Sequence, residues 1–119
     1  MKPTLRVEEY VREDGSNPYR RWFEALPAPA AAKVAAAVYR LALGNTSKVK
    51  WFAGIGERII DWGPGYRIYL ARMGTPLLLL LGGGTKRSQR ADGERAVALR
   101  AEYKARTAAA RRAHARSGE

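Results

Sequence analysis

Cysteine is absent from this 119-residue chain, and histidine occurs once, as His114. Without cysteine there are no disulfide bonds and no thiolate metal sites, as suits a reducing cytoplasm. The single histidine lies in a basic C-terminal stretch, which excludes catalysis by a histidine pair. Histidine clusters and paired-carboxylate motifs are missing as well, so we predict a protein with no metal site and no cofactor.

Long apolar segments are also missing. Residues 1–4 lack the apolar core of a signal peptide, and the leucine run Leu77–Leu81 is far too short to cross a membrane. We therefore expect a cytoplasmic protein with no membrane partner. The length of the chain suits one compact domain with a modest core.

Acidic residues are scarce beside basic ones, 11 against 22, and the net charge is +11. Residues 1–56 contain nine Lys/Arg and five Asp/Glu, whereas residues 57–119 contain thirteen and six, so the second half has the larger excess. A field of this sign attracts phosphate backbones or acidic partners. A protein whose surface simply carries many solvated arginines would have the same composition. The net charge therefore favours contact with nucleic acid, but it gives no information about catalysis.

The chain is organised around the stretch from Gly63 to Lys86. Gly63-Pro64-Gly65 predicts a turn, because proline fixes φ and glycine tolerates positive φ. The residues that follow alternate in two rows, and this pattern predicts a strand with one row inward and the other outward. The inward row is Tyr66, Ile68 and Leu70, and the outward row is Arg67, Tyr69 and Ala71.

The leucines 77–81 are apolar at every position, which predicts a central strand covered on both faces. The glycine triplet 82–84 then predicts a tight bend, with Thr85 capping the helix that follows. We expect the outward Arg67, either Tyr66 or Tyr69, and Lys86 to converge at one end of the sheet. Arginine, lysine and tyrosine side chains together suit a polyanion better than a metal or a neutral metabolite.

The other segments complete an α+β prediction with a small, antiparallel-dominated sheet. Upstream we predict a strand over 4–11, helices over 18–26 and 28–43, a polar connection over 45–56 and a strand over 57–62. The two helices form a hairpin whose apolar stripes have to pack on the sheet. From Lys86 onward the chain is predicted to be a C-terminal helix, which ends in a basic, frayed helical tail over 105–119.

Two motifs together resemble the RelE/ParE toxin superfamily: Gly-Pro-Gly-Tyr-Arg-Ile-Tyr at 63–69 and Leu-Leu-Gly-Gly-Gly-Thr-Lys-Arg-Ser-Gln at 80–89. More narrowly, the chain is similar to the HigB-like branch, the addiction module killer proteins of type II toxin–antitoxin systems. The resemblance extends over residues 5–104. It implies a single toxin domain over 1–104, built as one small sheet with helices packed on one side.

The resemblance implies a metal-independent endoribonuclease that cleaves mRNA on the ribosome and so inhibits translation. In this reaction the RNA 2′-oxygen attacks the adjacent phosphate, which needs a base, an acid and cations around the phosphorus. A free lysine has a pKa near ~10.4, so it needs burial or neighbouring cations to act as a base. The candidate catalytic residues are Arg67, Lys86, Tyr66 and Tyr69. The candidate RNA- or phosphate-binding residues are Lys48, Lys50, Arg58, Arg87 and Gln89.

The implied partners are the ribosome, mRNA and a cognate helix-turn-helix antitoxin that covers the basic cleft or displaces the C-terminal helix. Two alternatives stay open. ParE-like relatives share the fold and inhibit DNA gyrase without being enzymes, and a decayed toxin would keep only antitoxin binding.

This chain departs from the family pattern at two positions. Relatives usually have Glu, any residue, Arg and Ile where this chain has Glu57-Arg58-Ile59-Ile60. Either Arg58 replaces the missing arginine through a local bulge, or one cation of the site is lost. Gly93 stands where relatives carry isoleucine, so we expect the C-terminal helix to start loosely.

Overall fold

A computed structural model describes residues 4–74 and 76–118. The elements, in chain order, are β1 (Arg6–Glu9), α1 (Pro18–Glu24), α2 (Ala28–Ala42), β2 (Val49–Phe52), β3 (Ile55–Ile60), β4 (Tyr66–Met73), β5 (Leu77–Gly84), a 3₁₀ turn (Lys86–Ser88) and α3 (Gln89–Ser117). The strands form one mixed sheet in the order β1-β5-β4-β3-β2. β1 and β5 are parallel, and the other neighbours are antiparallel. The α+β class with a C-terminal helix is therefore confirmed.

The α1–α2 hairpin begins where the sequence predicts. The Asn17 side chain accepts a hydrogen bond from the backbone N–H of Arg20 at 2.9 Å, and Pro18 occupies the first turn of α1, where its missing N–H costs nothing. Val34 and Leu41 of α2 are fully buried. With Trp22 of α1 they belong to one apolar cluster with the side chains of this sheet face. The hairpin is therefore held by burial of its predicted stripes.

The opposite sheet face is covered as well, by α3. Ala96 and Leu99 of α3 pack in a second apolar cluster that includes Tyr69, Leu79 and Leu81. The prediction that the helices pack on one side is therefore wrong, and so is the outward placement of the Arg67–Tyr69–Ala71 row. Arg67 is 6% exposed, Tyr69 1% and Ala71 0%. Alternation in a strand reports two faces, but it does not show whether a distant helix covers the second.

β5 is the central strand that the leucine run predicts, with every leucine buried. The predicted glycine bend is wrong, because β5 continues through Gly84 and none of the three glycines has positive φ. They permit close packing instead. A Cβ added at Gly83 would lie 2.3 Å from Trp22 Cδ2, and one at Gly84 would lie 1.8 Å from Asp92 Oδ2. The glycines thus let α1 and α3 approach the strand from opposite faces.

The predicted polar connection over 45–56 contains the edge strand β2, so that prediction is wrong too. β2 pairs with β3 through a hairpin turn in which Ala53 and Gly54 have φ of 49° and 82°. Trp51 and Phe52 of this edge strand are 44% and 38% exposed. β2 has only four residues, including Lys50, and this alternation is too short to predict a strand from the sequence.

α3 is helical through Ser117, so the basic tail beyond residue 104 belongs to the same helix. A 3₁₀ turn precedes it, in which the backbone N–H of Ser88 donates to the Thr85 carbonyl at 3.2 Å. Of the helices in residues 4–74 and 76–118, none combines the length and the apolar character needed to cross a membrane.

Candidate functional site

Arg67 and Lys86 meet at the Gly63–Gly65 turn. Arg67 Nη1 donates to the Gly65 carbonyl at 2.8 Å, and the backbone N–H of Lys86 donates to the Pro64 carbonyl at 3.4 Å. Gly65 has φ of +72°, and a Cβ there would lie 3.3 Å from Arg67 Nη1 and 3.6 Å from Lys86 Cβ. The turn therefore holds a buried arginine next to an exposed lysine.

A buried polar network lies behind this turn, with Glu57 of β3 at its centre. Glu57 is 1% exposed. Its Oε2 accepts from the Tyr69 hydroxyl at 3.2 Å and from Gln89 Nε2 at 3.0 Å, and it lies 3.5 Å from Arg67 Nε. Removing a charged group from water costs free energy. Because Glu57 and Arg67 are buried together, their mutual attraction compensates for that cost, and either group alone would be buried without compensation.

Tyr69 acts in this network as a hydrogen-bond donor. Burial raises its pKa, and the charge of Glu57 and the hydrogen bond to it raise the pKa further. The phenol therefore keeps its proton at neutral pH and cannot serve as a general base. At 1% exposure the ring lies beneath α3, where its hydroxyl donates to Glu57.

An open cavity of about 570 Å³ lies beside Glu57, between the β2–β3 hairpin and the start of α3. Lys50 and Gln89 line it, together with Phe52 and Gly93. A Cβ added at Gly93 would make ordinary van der Waals contact with Phe52, at 3.9 Å. Two of the predicted RNA-binding residues thus lie near the network, on the same side of the sheet.

Two predicted site residues lie on the opposite sheet face. Tyr66 packs between Trp22 and Trp62, with ring centroids 6.5 and 6.2 Å away. Arg58 faces α2, and the β3–β4 register is regular, with Ile59 directly opposite Arg67. The alternative in which Arg58 replaces the missing arginine through a local bulge is therefore wrong. In a strand without a bulge, side chains of successive residues point to opposite faces, so Arg58 and residue 59 lie on different faces. Arg58 cannot replace the missing arginine beside Arg67.

Lys48 and Arg87 are exposed, and neither forms an ion pair within residues 4–74 and 76–118. Arg87 follows Lys86 in the 3₁₀ turn, whereas Lys48 precedes the edge strand. In that same part of the chain, no three His, Asp or Glu side chains are grouped as a metal would need.

An uncharacterized protein of Haemophilus influenzae is 42% identical to this chain over 74 residues, which are 61% of this chain and 75% of that protein. The chain belongs to the same family as that protein. No protein-family model matches the sequence. No solved structure matches the fold.

Glu57 is the functional residue that sequence reasoning missed. Its signal is present, because Glu57 lies two residues after the buried Ile55 and must share its face of β3. A carboxylate on an apolar row indicates a buried partner, and Arg67 and Gln89 are those partners. The whole arrangement presents exposed cations around a rigid, buried ion pair, so it can bind and orient a phosphate without a metal.

Proposed function

We propose that this protein is the toxin of a type II toxin–antitoxin module and acts as a metal-independent, ribosome-dependent mRNA endoribonuclease. The observation that carries the proposal is the meeting of Arg67 and Lys86 at the Gly63–Gly65 turn. The motif that resembles RelE/ParE toxins supplies both residues and the turn. The net charge of +11 supports a polyanionic substrate.

In the proposed reaction, the 2′-oxygen of one nucleotide attacks its own 3′-phosphorus, and the bond to the 5′-oxygen of the next nucleotide breaks. The products are a 2′,3′-cyclic phosphate and a 5′-hydroxyl, with the 2′ proton transferred to a base and a proton delivered to the leaving oxygen. Lys86 and Arg87 are exposed and bind the scissile phosphate. Arg67 lies behind the turn, and its charge is balanced by Glu57, so its part is to hold the Gly65 carbonyl and thereby the turn that carries Lys86. The net positive charge at the phosphate comes from Lys86 and Arg87.

Glu57, Tyr69 and Gln89 are positioning residues in this scheme. The hydrogen bonds from Tyr69 and Gln89 hold the Glu57 carboxylate, which lies 3.5 Å from Arg67 Nε, and the Gly65 carbonyl holds Arg67 Nη1 from the other side. Among the candidates for proton transfer, Lys86 is the exposed group at the turn, whereas Tyr69 keeps its proton. The ribosome would align the mRNA, so a site with few reactive groups can suffice.

The proposed setting is the cytoplasm, with a helix-turn-helix antitoxin as the neutralising partner. The positive field that attracts mRNA also attracts an acidic segment of a partner protein. The antitoxin can therefore compete with mRNA for the same surface. Covering Lys86 and Arg87 would block access to the turn without any change in the buried network.

The test is inducible expression in a bacterial host with pulse labelling of protein and DNA synthesis. We expect growth to stop because translation stops, and Lys86→Ala to abolish the arrest while the melting temperature stays unchanged. Arg111→Ala, which removes the same charge from the exposed end of α3, is the matched control and should remain toxic. If DNA synthesis stops first while protein synthesis continues, inhibition of DNA gyrase replaces our proposal. If Lys86→Ala is as toxic as the parent, the site is misassigned.

A further inference from the structure

A second group of basic side chains lies on the sheet face that the α1–α2 hairpin covers. In the β3–β4 register it is close to the Gly63–Gly65 turn, since Arg58 pairs with Ile68, but it lies on the opposite side of the sheet from Arg67. Arg58 of β3 is 8% exposed, although it is charged. It lines a cavity of about 330 Å³ together with Lys33 and Arg40 of α2. The rest of the lining is apolar or small, with Ile60, Pro29 and alanines.

No carboxylate in the described part of the chain forms an ion pair with this group. Within residues 4–74 and 76–118, Lys33, Arg40 and Arg58 form no ion pair, and the one hydrogen bond of the Arg58 guanidinium runs from Nη1 to the Ile59 carbonyl. Burial and the nearby Arg40 charge both lower the pKa of Arg58. A buried guanidinium that faces a like charge is costly unless an anion joins it.

We propose that Lys33, Arg40 and Arg58 form a binding site for a phosphate group, on the sheet face opposite the proposed catalytic turn. The guanidinium of Arg58 would form the floor and present a planar fork to two phosphate oxygens. Arg40 and Lys33 approach from α2, and both are exposed, so they close over the anion from the rim. Lys33 Nζ lies 5.8 Å from the centroid of the Trp62 ring, which keeps this lysine beside the cavity.

This site is independent of the proposed toxin function. Its buried cation is Arg58, and the regular β3–β4 pairing directs that side chain to the face covered by the α1–α2 hairpin. Two sources have the required chemistry: free phosphate and the phosphodiesters of a single-stranded RNA. The cavity accepts the phosphate of either one, because its mouth is open between α2 and β3.

The test is an NMR titration that follows the arginine Nε–H signals of a ¹⁵N-labelled Lys86→Ala protein. This background weakens phosphate binding at the catalytic turn. Sodium phosphate is added at constant ionic strength, with chloride as the balancing anion. We expect the Arg58 and Arg40 signals to shift and saturate, while Arg111, in the exposed tail, follows only general screening. Signals of Arg58 and Arg40 that move linearly and no more than Arg111 would overturn the proposal.

Arg58→Gln gives the second readout. In this variant the saturating shift of Arg40 should require at least roughly tenfold more phosphate, because a charge-assisted hydrogen-bond pair is lost. If Arg58→Gln does not fold, Arg40→Gln at the exposed rim serves instead, with the Arg58 signal as the reporter. An unchanged affinity in the variant that folds would also overturn the site.

Replacing phosphate with an oligouridylate RNA distinguishes the sources. If the Arg58 and Arg40 signals saturate at a lower concentration of phosphate groups with RNA than with inorganic phosphate, the site is assigned to a polynucleotide. Saturation with inorganic phosphate alone assigns it to a small anion.

Discussion

Removal of the charge on Glu57 is the perturbation for which the structure makes the strongest prediction. Glu57→Gln keeps the volume and one acceptor oxygen, but it leaves the charge of Arg67 without a counter-ion at 7% side-chain exposure. The new amide also brings a donor toward Gln89 Nε2 and Arg67 Nε, which are donors themselves. Breaking a buried pair by removing one partner costs about 3–5 kcal/mol.

We expect the loss to lie near the lower end, at about 3 kcal/mol, because Arg67 Nη1 keeps its bond to the Gly65 carbonyl and the Arg67–Glu57 distance is 3.5 Å. In urea unfolding followed by circular dichroism, this corresponds to a midpoint lowered by about 1.5 M for a slope of ~2 kcal/mol/M. Arg67→Met should destabilise the protein by a similar amount, since it leaves the buried Glu57 without its counter-ion. If Arg67 were exposed, as expected from the sequence, its substitution would change the free energy of unfolding very little.

Two controls make the prediction refutable. Glu94→Gln breaks the exposed pair with Arg90, and it should change stability by no more than ~0.5 kcal/mol. The double variant Glu57→Gln with Arg67→Met removes both charges, so it should be less destabilised than the sum of the single variants by ~1 kcal/mol or more. A Glu57→Gln loss below about 1 kcal/mol, or strict additivity, would show that Glu57 and Arg67 are not a coupled buried ion pair.

Two further predictions concern packing and acid stability. Gly83→Ala should destabilise the protein by at least about 1–3 kcal/mol, because its Cβ would lie 2.3 Å from Trp22 Cδ2. Gly82→Ala is the matched control with no atom within 4 Å, and equal unfolding midpoints for the two variants would contradict the close approach. Hydrogen bonds from Arg12, and to a lesser extent from Tyr10, lower the pKa of Glu102 from 4.5 to about 2. The ionised Glu102 carboxylate therefore stabilises the fold above pH 4.5, and this stabilisation is lost as the pH falls toward 2. The melting temperature of the parent should therefore drop more between about pH 6 and about pH 3 than that of Glu102→Gln, and parallel curves would refute this linkage.

Local patterns determined several elements without reference to the fold. The α1 start depends on Asn17 and Pro18, whose capping and fixed φ act within one turn. The leucine run of β5 predicted a strand covered on both faces, and both faces are covered. The Gly63-Pro64-Gly65 motif likewise determined a turn by itself, with positive φ at both glycines.

Tertiary packing decided the rest. Alternation in β4 cannot tell which row is solvated, and α3, distant in sequence, buries the row that carries Arg67 and Tyr69. The glycine triplet could bend or stay extended, and the close packing of Trp22 on one face and Asp92 on the other favours the extended strand. Arg58 turned to the hairpin face because the β3–β4 ladder has no bulge. These outcomes depend on contacts between segments far apart in the chain, whose energies no local pattern contains.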